Sequence, residues 1–299
     1  MDRQPERPSM ALRRLVNGYQ ATQAIGVAAR LGIADLLAAG PRASEDLAVA
    51  TGAHSGALYR LLRALASIGV LHEAAERRFS LTPIGECLRA DAPEPVAGWA
   101  AFVCEPYYRQ AWDALEQSVR TGENAFRLVH GEDPWTYRQR HPATNAVFNR
   151  AMTDRSRQVS AAVLEAFAFG RYASVVDVGG GAGAFLAAIL VRYPAMRGVL
   201  FDQPHVAASA APILAAAGVA DRCEVASGSF FAGVPAGADA YLLKSILHDW
   251  DDERCGDILR TCRRAMAPGA ALLVVEQALG SPNENPDAKF SDLNMLVAP

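Results

Sequence analysis

The chain has 299 residues, of which 51% are hydrophobic and 20% charged, and its formal net charge is −3. This composition is typical of a globular protein and argues against both a strongly basic nucleic-acid binder and an acidic disordered chain. The five cysteines form no C-x-x-C pair and are odd in number, which favours reduced thiols over disulfides or zinc ligands. No apolar run reaches membrane-spanning length, and the polar start at 1–8 lacks the apolar core of a secretory signal. We therefore expect a cytoplasmic protein without a membrane partner.

Residues 1–95 predict a helical module that ends in a hairpin. An apolar helical pattern runs from about Ala11 to Ala39. A short helix and a turn follow, then a longer helix over 54–68 and two short strands at 69–71 and 78–82. This order of elements is that of a winged helix.

Two functions fit such a module. In a DNA-binding protein its second helix would read the bases, and here that helix offers Arg60 and Arg63 among small side chains. In a dimerisation module the first helix would be covered by another subunit, which suits its apolar surface with few charges. We favour a homodimer that binds no nucleic acid. A winged-helix regulator that senses a ligand stays an alternative.

Residues 96–170 are helical and rich in aromatic side chains, and we predict that this linker contributes a substrate pocket. Most of the rings are expected in the core, and a minority would line a cleft for a flat ligand. Phe148 and Met152 lie four residues apart on one predicted helix, close before the next strand.

From residue 171 to 299, strands alternate with helices, which predicts a Rossmann-like, doubly wound parallel sheet. We predict strands at about 174–178, 198–202, 222–226, 238–244 and 270–276, and helices near 184–192, 205–217 and 253–266. The first strand enters a glycine-rich turn, in which the backbone can approach a ligand closely. Gly179-x-Gly181-x-x-Ala184, with Asp202 at the end of the next strand, fits both nicotinamide dinucleotides and S-adenosylmethionine (SAM), because both carry a ribose diol. An NAD-dependent oxidoreductase therefore stays a second alternative.

A further group of polar residues follows the last two predicted strands. Lys244 ends the fourth strand, His248 and Asp249 come just after it, and Glu276 ends the fifth. Ligands bind at the carboxyl ends of the strands in such sheets. Histidine, with a pKa of about 6.5, suits removal of a proton from a phenol, with a pKa of about 10. A carboxylate on its other ring nitrogen would fix the tautomer.

Together, Asp177-Val-Gly-Gly-Gly-Ala-Gly, Phe201-Asp202-x-Pro204-His205-Val206, Lys244-x-x-x-His248-Asp249-Trp250 and Glu276 resemble the SAM-dependent O-methyltransferases of the caffeate and acetylserotonin type. Bacterial members of that family methylate polyketides and other aromatic natural products. The likeness spans nearly the whole chain, including an N-terminal winged-helix dimerisation domain. It implies SAM as cofactor, S-adenosylhomocysteine (SAH) as product, a small aromatic acceptor with a hydroxyl, and a place in secondary metabolism.

The resemblance also implies a role for each site residue. His248 would be the general base and Glu276 the carboxylate that orients it, with no metal. The residues at the cofactor would be Gly179, Gly181, Asp202, Ser229, Phe230 and Lys244, and those at the acceptor Phe148, Met152 and Asp249. Ser229 is a departure, because many relatives have an aspartate at this position.

Family members continue with two further strands and a second acidic residue near the histidine. This chain ends at Pro299. We therefore expect a SAM-binding domain that lacks its last strands, with 270–276 as an edge strand.

Overall fold

A computed structural model of the protein describes residues 7–299, apart from the side chain of Gln158. Part of the sequence interpretation of residues 1–8 thus falls outside the described residues. The chain divides between Pro106 and Tyr107 into two compact units. The three-part division at residues 95 and 170 stays a prediction.

The first unit is mostly helical, with one small antiparallel sheet in the order β1-β3-β2. Its elements are α1 (Pro8–Val16), α2 (Gly18–Arg30), α3 (Ile33–Leu37), β1 (Arg42–Ala43), α4 (Ser44–Thr51), α5 (Ser55–Ser67), β2 (Leu71–Ala74), β3 (Arg78–Leu81), α6 (Pro83–Glu86) and α7 (Ala97–Phe102). Helices α4 and α5 and the β2–β3 hairpin form the predicted winged helix. The single predicted pattern from Ala11 to Ala39 is divided into three helices. Gly32, with φ of 65°, takes the left-handed conformation that ends a helix, and it separates α2 from α3.

Helices α5 and α1 of this unit differ in how far their apolar side chains are buried. Leu58, Leu62 and Leu65 of α5 are buried on one helix face, as their spacing predicts. None of the residues of α1 is buried. Leu12 and Leu15 of α1 are 62% and 74% exposed. This helix therefore presents an apolar surface.

The second unit contains a five-stranded sheet in the order β6-β5-β4-β7-β8. The elements of the rest of the chain are α8 (Pro106–Asp113), α9 (Leu115–Thr121), α10 (Ala125–His130), α11 (Pro134–Arg140), α12 (Pro142–Ala166), β4 (Ser174–Val178), α13 (Ala184–Arg192), β5 (Arg197–Asp202), α14 (Pro204–Ala207), α15 (Ala211–Ala216), β6 (Cys223–Ser227), β7 (Ala240–Lys244), α16 (Asp252–Ala265), β8 (Ala271–Val275) and α17 (Pro286–Val297). All neighbouring strands of this sheet are parallel. The predicted Rossmann-like architecture is therefore present.

Strand β4 lies at the centre of the sheet, and its β-branched residues explain why. Val175, Val176 and Val178 are each 1% exposed or less, as expected of a strand covered on both faces. The chain continues from β4 to β5 on one side and returns to β7 on the other. The crevice at the carboxyl end of β4 is thus the switch point where ligands bind in open α/β sheets.

The helix predicted over 205–217 is wrong, because it is broken into α14 and α15. Pro212 lies in the first turn of α15. A proline cannot donate the backbone hydrogen bond of a helix interior, whereas the first turn needs none. The residue therefore begins a new helix.

Strand β8 pairs with β7 on one side, and within residues 7–299 no strand pairs with its other side. Val274 of this strand is 47% exposed. Glu276 follows β8 directly, in register with the end of β7, where Lys244 pairs with Val275.

Candidate active site

The glycine-rich turn after β4 requires glycine at specific positions. Gly179, Gly181 and Gly183 have φ of 72°, 62° and 83°, a region that other residues enter at a cost. A Cβ at Gly179 would collide with the side chain of Ile246. The turn is therefore open backbone that can lie directly against a ligand, at the beginning of α13.

Asp202 lies at the end of β5 and reaches back to this turn. Its Oδ2 accepts a hydrogen bond from the Gly181 N–H at 2.8 Å, and its Oδ1 accepts one from the Gln203 N–H at 2.6 Å. Burial raises the pKa of Asp202, although both N–H groups oppose the rise. A carboxylate has about four lone-pair sites, so acceptor capacity for ribose hydroxyls is left. The residues present thus fit a nucleoside ligand.

Phe230 forms an apolar wall next to the turn. A Cβ at Gly179 would lie 3.6 Å from the Phe230 ring. The ring of Phe230 contacts that of Trp250 edge to face, with 6.0 Å between the centroids. Ser229 is exposed, and its hydroxyl accepts a hydrogen bond from the Phe231 N–H at 3.3 Å.

Lys244, predicted at the cofactor, ends β7 and lies close to Asp177 and Ser156, neither of which was assigned to the site from the sequence. Its Nζ donates to the Ser156 hydroxyl of α12 at 3.0 Å. Asp177 in β4 is 1% exposed, and a Cβ at Gly180 would lie 2.6 Å from its Oδ2. Burial raises the pKa of Asp177 to about 7, and the charge of Lys244 opposes this rise. A charged residue inside an apolar strand was the available signal for Asp177, and the i+4 spacing from Met152 was the signal for Ser156.

His248 lies on the 3₁₀ turn Leu247–Asp249 just after β7. Its Nδ1 is 2.5 Å from Glu276 Oε2. Glu276 is itself held in place, because its Oε1 accepts the N–H groups of Ile246 and Leu247 at 2.9 Å each. His248 Nε2 is 3.3 Å from Asp249 Oδ1. The structure therefore brings together the predicted base, its predicted partner and a second carboxylate.

The surroundings of His248 and Glu276 favour a positively charged imidazolium beside a negatively charged carboxylate. Burial lowers the pKa of His248, but the hydrogen bond to Glu276 and the charges of Asp249 and Glu276 outweigh it, so the pKa lies above its ordinary value. Burial raises the pKa of Glu276, but the hydrogen bond and charge of His248 and two backbone N–H groups hold it below the ordinary value. Burial raises the pKa of Asp249 to about 6. An ionised Glu276 thus holds the Nδ1–H tautomer and leaves Nε2 to accept a proton.

Phe148 and Met152 lie one turn apart on α12 and are half-buried. The Phe148 ring contacts the Trp135 ring edge to face, with 5.9 Å between the centroids. The guanidinium of Arg138 lies on the face of the Phe148 ring, 3.7 Å from the ring centroid. Helix α17 contacts the turn that carries His248. Neither Arg138 nor α17 was predicted at the site, because only tertiary packing brings them there.

Comparison with known proteins identifies the class. A model of the O-methyltransferase domain matches residues 112–299, and a model of the O-methyltransferase dimerisation domain matches residues 13–91. The chain therefore belongs to the O-methyltransferase family. The predicted family, fold class and enzyme class are confirmed.

Individual relatives agree with this assignment. The phenazine O-methyltransferase PhzM of Lysobacter antibioticus is 45% identical over 289 residues, which are 97% of this chain and 84% of the relative. The crystal structure of LaPhzM matches with a TM-score of 0.93 at 44% identity, over 98% of this chain and 88% of that chain. The O-methyltransferase NcsB1 of neocarzinostatin biosynthesis, solved with SAM and 2-hydroxy-5-methyl naphthoic acid, has a TM-score of 0.75 at 32% identity, over 93% of this chain and 84% of its own. These relatives support the predicted SAM cofactor.

Residues 7–299 contain neither a membrane-spanning helix nor a cluster of metal ligands. No helix among them is long and apolar enough to cross a membrane. In the same residues, no three or more histidine, cysteine, aspartate and glutamate side chains are grouped closely enough to hold a metal ion.

Proposed function

We propose that this chain transfers a methyl group from SAM to a hydroxyl of a small aromatic natural product, in secondary metabolism, with His248 as general base. The observation that carries the proposal is the 2.5 Å contact between His248 Nδ1 and Glu276, at the sheet edge that also carries the glycine turn. The relatives named above support an aromatic acceptor, since their names specify phenazine and naphthoic acid.

Three side chains of the chain, those of His248, Glu276 and Asp249, have separate roles in the methyl transfer. When bound, SAM supplies a methyl group on a positively charged sulfur, and transfer of this methyl group to an oxygen nucleophile releases SAH. His248 Nε2 takes the proton of the acceptor hydroxyl, and Glu276 stabilises the imidazolium that forms. Asp249, 3.3 Å from Nε2, accepts a second hydrogen bond from the acceptor or from the imidazolium. Most of the remaining rate enhancement comes from holding the two reactants in line.

The cofactor is held by residues of three strand ends. Asp202 accepts hydrogen bonds from the ribose hydroxyls, and the open backbone at Gly179 and Gly181 lies along the methionine part. Lys244 lies beside the cofactor and its charge compensates that of Asp177. The rings next to Gly179, above all Phe230, form an apolar surface for adenine, with Ser229 as a neutral hydrogen-bonding neighbour.

The acceptor lies against α12, where Phe148 and Met152 flank its ring. A flat aromatic molecule gains contact area from such side chains at little entropic cost.

The winged-helix unit serves as a dimerisation module rather than a nucleic-acid reader. The exposed apolar residues of α1 and the matched dimerisation domain support this role.

The test is a methylation assay with the full chain, SAM and a panel of hydroxylated naphthalenes, phenazines and benzoates. We expect SAH to form together with an O-methyl product, identified by mass spectrometry and NMR. Calorimetry with SAM, SAH and NAD side by side should show binding of the first two. Binding of NAD instead of SAM, or methyl transfer to nitrogen or carbon in acceptors that also carry a free hydroxyl, would contradict the proposal.

A further inference from the structure

Ser245 is a residue with a left-handed backbone just after the carboxyl end of β7. Its φ is 57°, in a region that an L side chain enters at a cost and that glycine enters freely. The three left-handed positions in the turn after β4 are glycines. Strained backbone of this kind persists only where the surrounding structure holds it, and it is commonest at active sites. A serine in this conformation therefore points to a role in the site.

The left-handed residue lies between the sheet and the turn that carries the base. The N–H of Ser245 donates to the carbonyl of Val275 at 3.0 Å and so continues the pairing of β7 with β8. The next two N–H groups, those of Ile246 and Leu247, donate instead to Oε1 of Glu276 at 2.9 Å each. At Ser245 the chain therefore leaves the strand ladder and turns its N–H groups onto a carboxylate.

The change of hand at Ser245 makes this backbone a binding site for a carboxylate. Ile246, with φ of −118° and ψ of −50°, is right-handed, so the hand changes within two residues. Successive N–H groups in such a turn form a concavity that binds an anion, whereas in a strand they point to opposite sides. Both N–H groups converge on Oε1 of Glu276, and Oε2 faces His248 Nδ1 at 2.5 Å. The orientation of the carboxylate thus depends on the left-handed φ.

Two further contacts hold the turn in place. The side chain of Ile246 is 8% exposed and packs against the glycine-rich turn, where a Cβ at Gly179 would collide with it. The thiol of Cys255 in α16 donates to the carbonyl of Leu247 at 3.2 Å. These contacts supply the surroundings that a strained residue needs, and they connect the base to the cofactor turn.

We propose that Ser245 is a positioning residue for the base: its left-handed backbone fixes Glu276, and Glu276 fixes the Nδ1–H tautomer of His248. This inference rests on the proposed function. It assigns the effect to the backbone of Ser245 and not to its hydroxyl. Glycine takes the same φ without strain, and a β-branched side chain resists it most. Substitutions at this one position therefore separate the backbone from the hydroxyl.

The titration of His248 reports whether Glu276 is held. Burial and the charge of Arg155 in α12 lower the pKa of His248, whereas Glu276 and Asp249 raise it above its ordinary value. A loosened Glu276 lowers this pKa, so the rising limb of kcat moves to lower pH while the plateau drops. In NMR spectra, the low-field signal of an Nδ1 proton bonded to a carboxylate weakens at the same time.

The experiment compares three variants in which the backbone preference and the hydroxyl vary independently. Ser245→Gly loses the hydroxyl and keeps the turn, so kcat should stay within about twofold of the unaltered enzyme. Ser245→Thr keeps the hydroxyl but is β-branched, and kcat should fall about three- to tenfold. Ser245→Val lacks the hydroxyl and is β-branched, and kcat should fall about tenfold or more, the effect of such strain on a rate.

The readouts and the control exclude general damage. In Ser245→Thr and Ser245→Val the pH limb and the Nδ1 signal should change as described, while calorimetry shows SAH binding within about twofold, which excludes a clash with the cofactor. Glu76→Val is the matched control, because Glu76 has the same φ of 57°, is exposed and lies in the segment between β2 and β3. It should leave kcat, the pH limb and the Nδ1 signal unchanged.

Three results would overturn the inference. These are full activity in Ser245→Val and Ser245→Thr, activity that follows the hydroxyl so that only Ser245→Thr stays active, and a fall in kcat without movement of the pH limb and the Nδ1 signal. Should Ser245→Val not fold, Ser245→Thr and Ser245→Gly still decide.

The NMR titration separates the inference from the proposed function, because it needs no turnover. An Nδ1 signal that survives in Ser245→Gly and weakens in Ser245→Thr supports the positioning role even where no methyl group is transferred, and the proposed function alone then fails. Methyl transfer that depends on His248 but is the same in all three variants overturns the positioning role alone.

Discussion

Replacing Glu276 by glutamine tests the catalytic assignment most sharply, because the structure dictates what the amide must do. Glu276 Oε1 accepts two backbone N–H groups, those of Ile246 and Leu247. In Glu276→Gln only the amide oxygen can continue to accept them, so the NH₂ group must face His248 Nδ1. The imidazole would then carry its proton on Nε2, the nitrogen assigned to accept the substrate proton. The variant keeps the shape of the site and disables the base.

We expect kcat to fall as far as it would if the general base were removed, about 10²- to 10⁴-fold, with little change in the affinity for SAM. The pH dependence supplies a second measure. The base must be neutral to act, so kcat rises with pH through the raised pKa of His248. Without the negative charge of Glu276 this pKa falls, and the rising limb moves to lower pH while the plateau drops.

The assay is SAH release against pH, together with ¹⁵N NMR of the imidazole to identify the tautomer. Glu165→Gln, at an exposed position near the end of α12, is the control and should match the unaltered enzyme. Turnover of Glu276→Gln within about twofold of the unaltered enzyme, with the rising limb unmoved, would refute the assignment of His248 and Glu276.

Three further predictions follow from the same structure. His248→Ala should lower kcat by about 10²- to 10⁴-fold while calorimetry shows nearly unchanged binding of SAM; unaltered turnover of a phenol at neutral pH would exclude this residue as the base. Asp202→Ala should weaken SAM and SAH alike by at least about tenfold, because hydrogen bonds to a charged group are worth about 1.5–3 kcal/mol; a change in affinity for NAD alone would favour the nicotinamide enzyme. Sedimentation should show a dimer without salt-sensitive binding to duplex DNA, and a double substitution of Leu12 and Leu15 by glutamate should shift it towards the monomer. A monomeric unaltered chain would contradict the dimer.

The sequence by itself determined the elements whose pattern is local. Strand β4 and helix α13 have the predicted bounds, because a β-branched apolar run, a glycine turn and a helical stripe are each set by near neighbours. The carboxyl ends of parallel strands meet at one edge, so His248 and Glu276 could be placed at the same edge although 28 residues separate them. Pro212 shows the limit of periodicity alone, because it interrupts a pattern that would otherwise continue as one helix.

The tertiary structure decided which side chains lie next to one another and how deeply they are buried. The contact of Lys244 with Ser156 and the interior position of Arg138 depend on how α11 and α12 pack, and no spacing in the sequence encodes that packing. The same holds for the carboxyl of Asp249, whose pKa burial raises to about 6. Burial sets the cost of a charge, and burial is a property of the packed chain. For this reason the sequence could predict which residue types carry the chemistry, whereas only the structure shows how deeply each of them is buried.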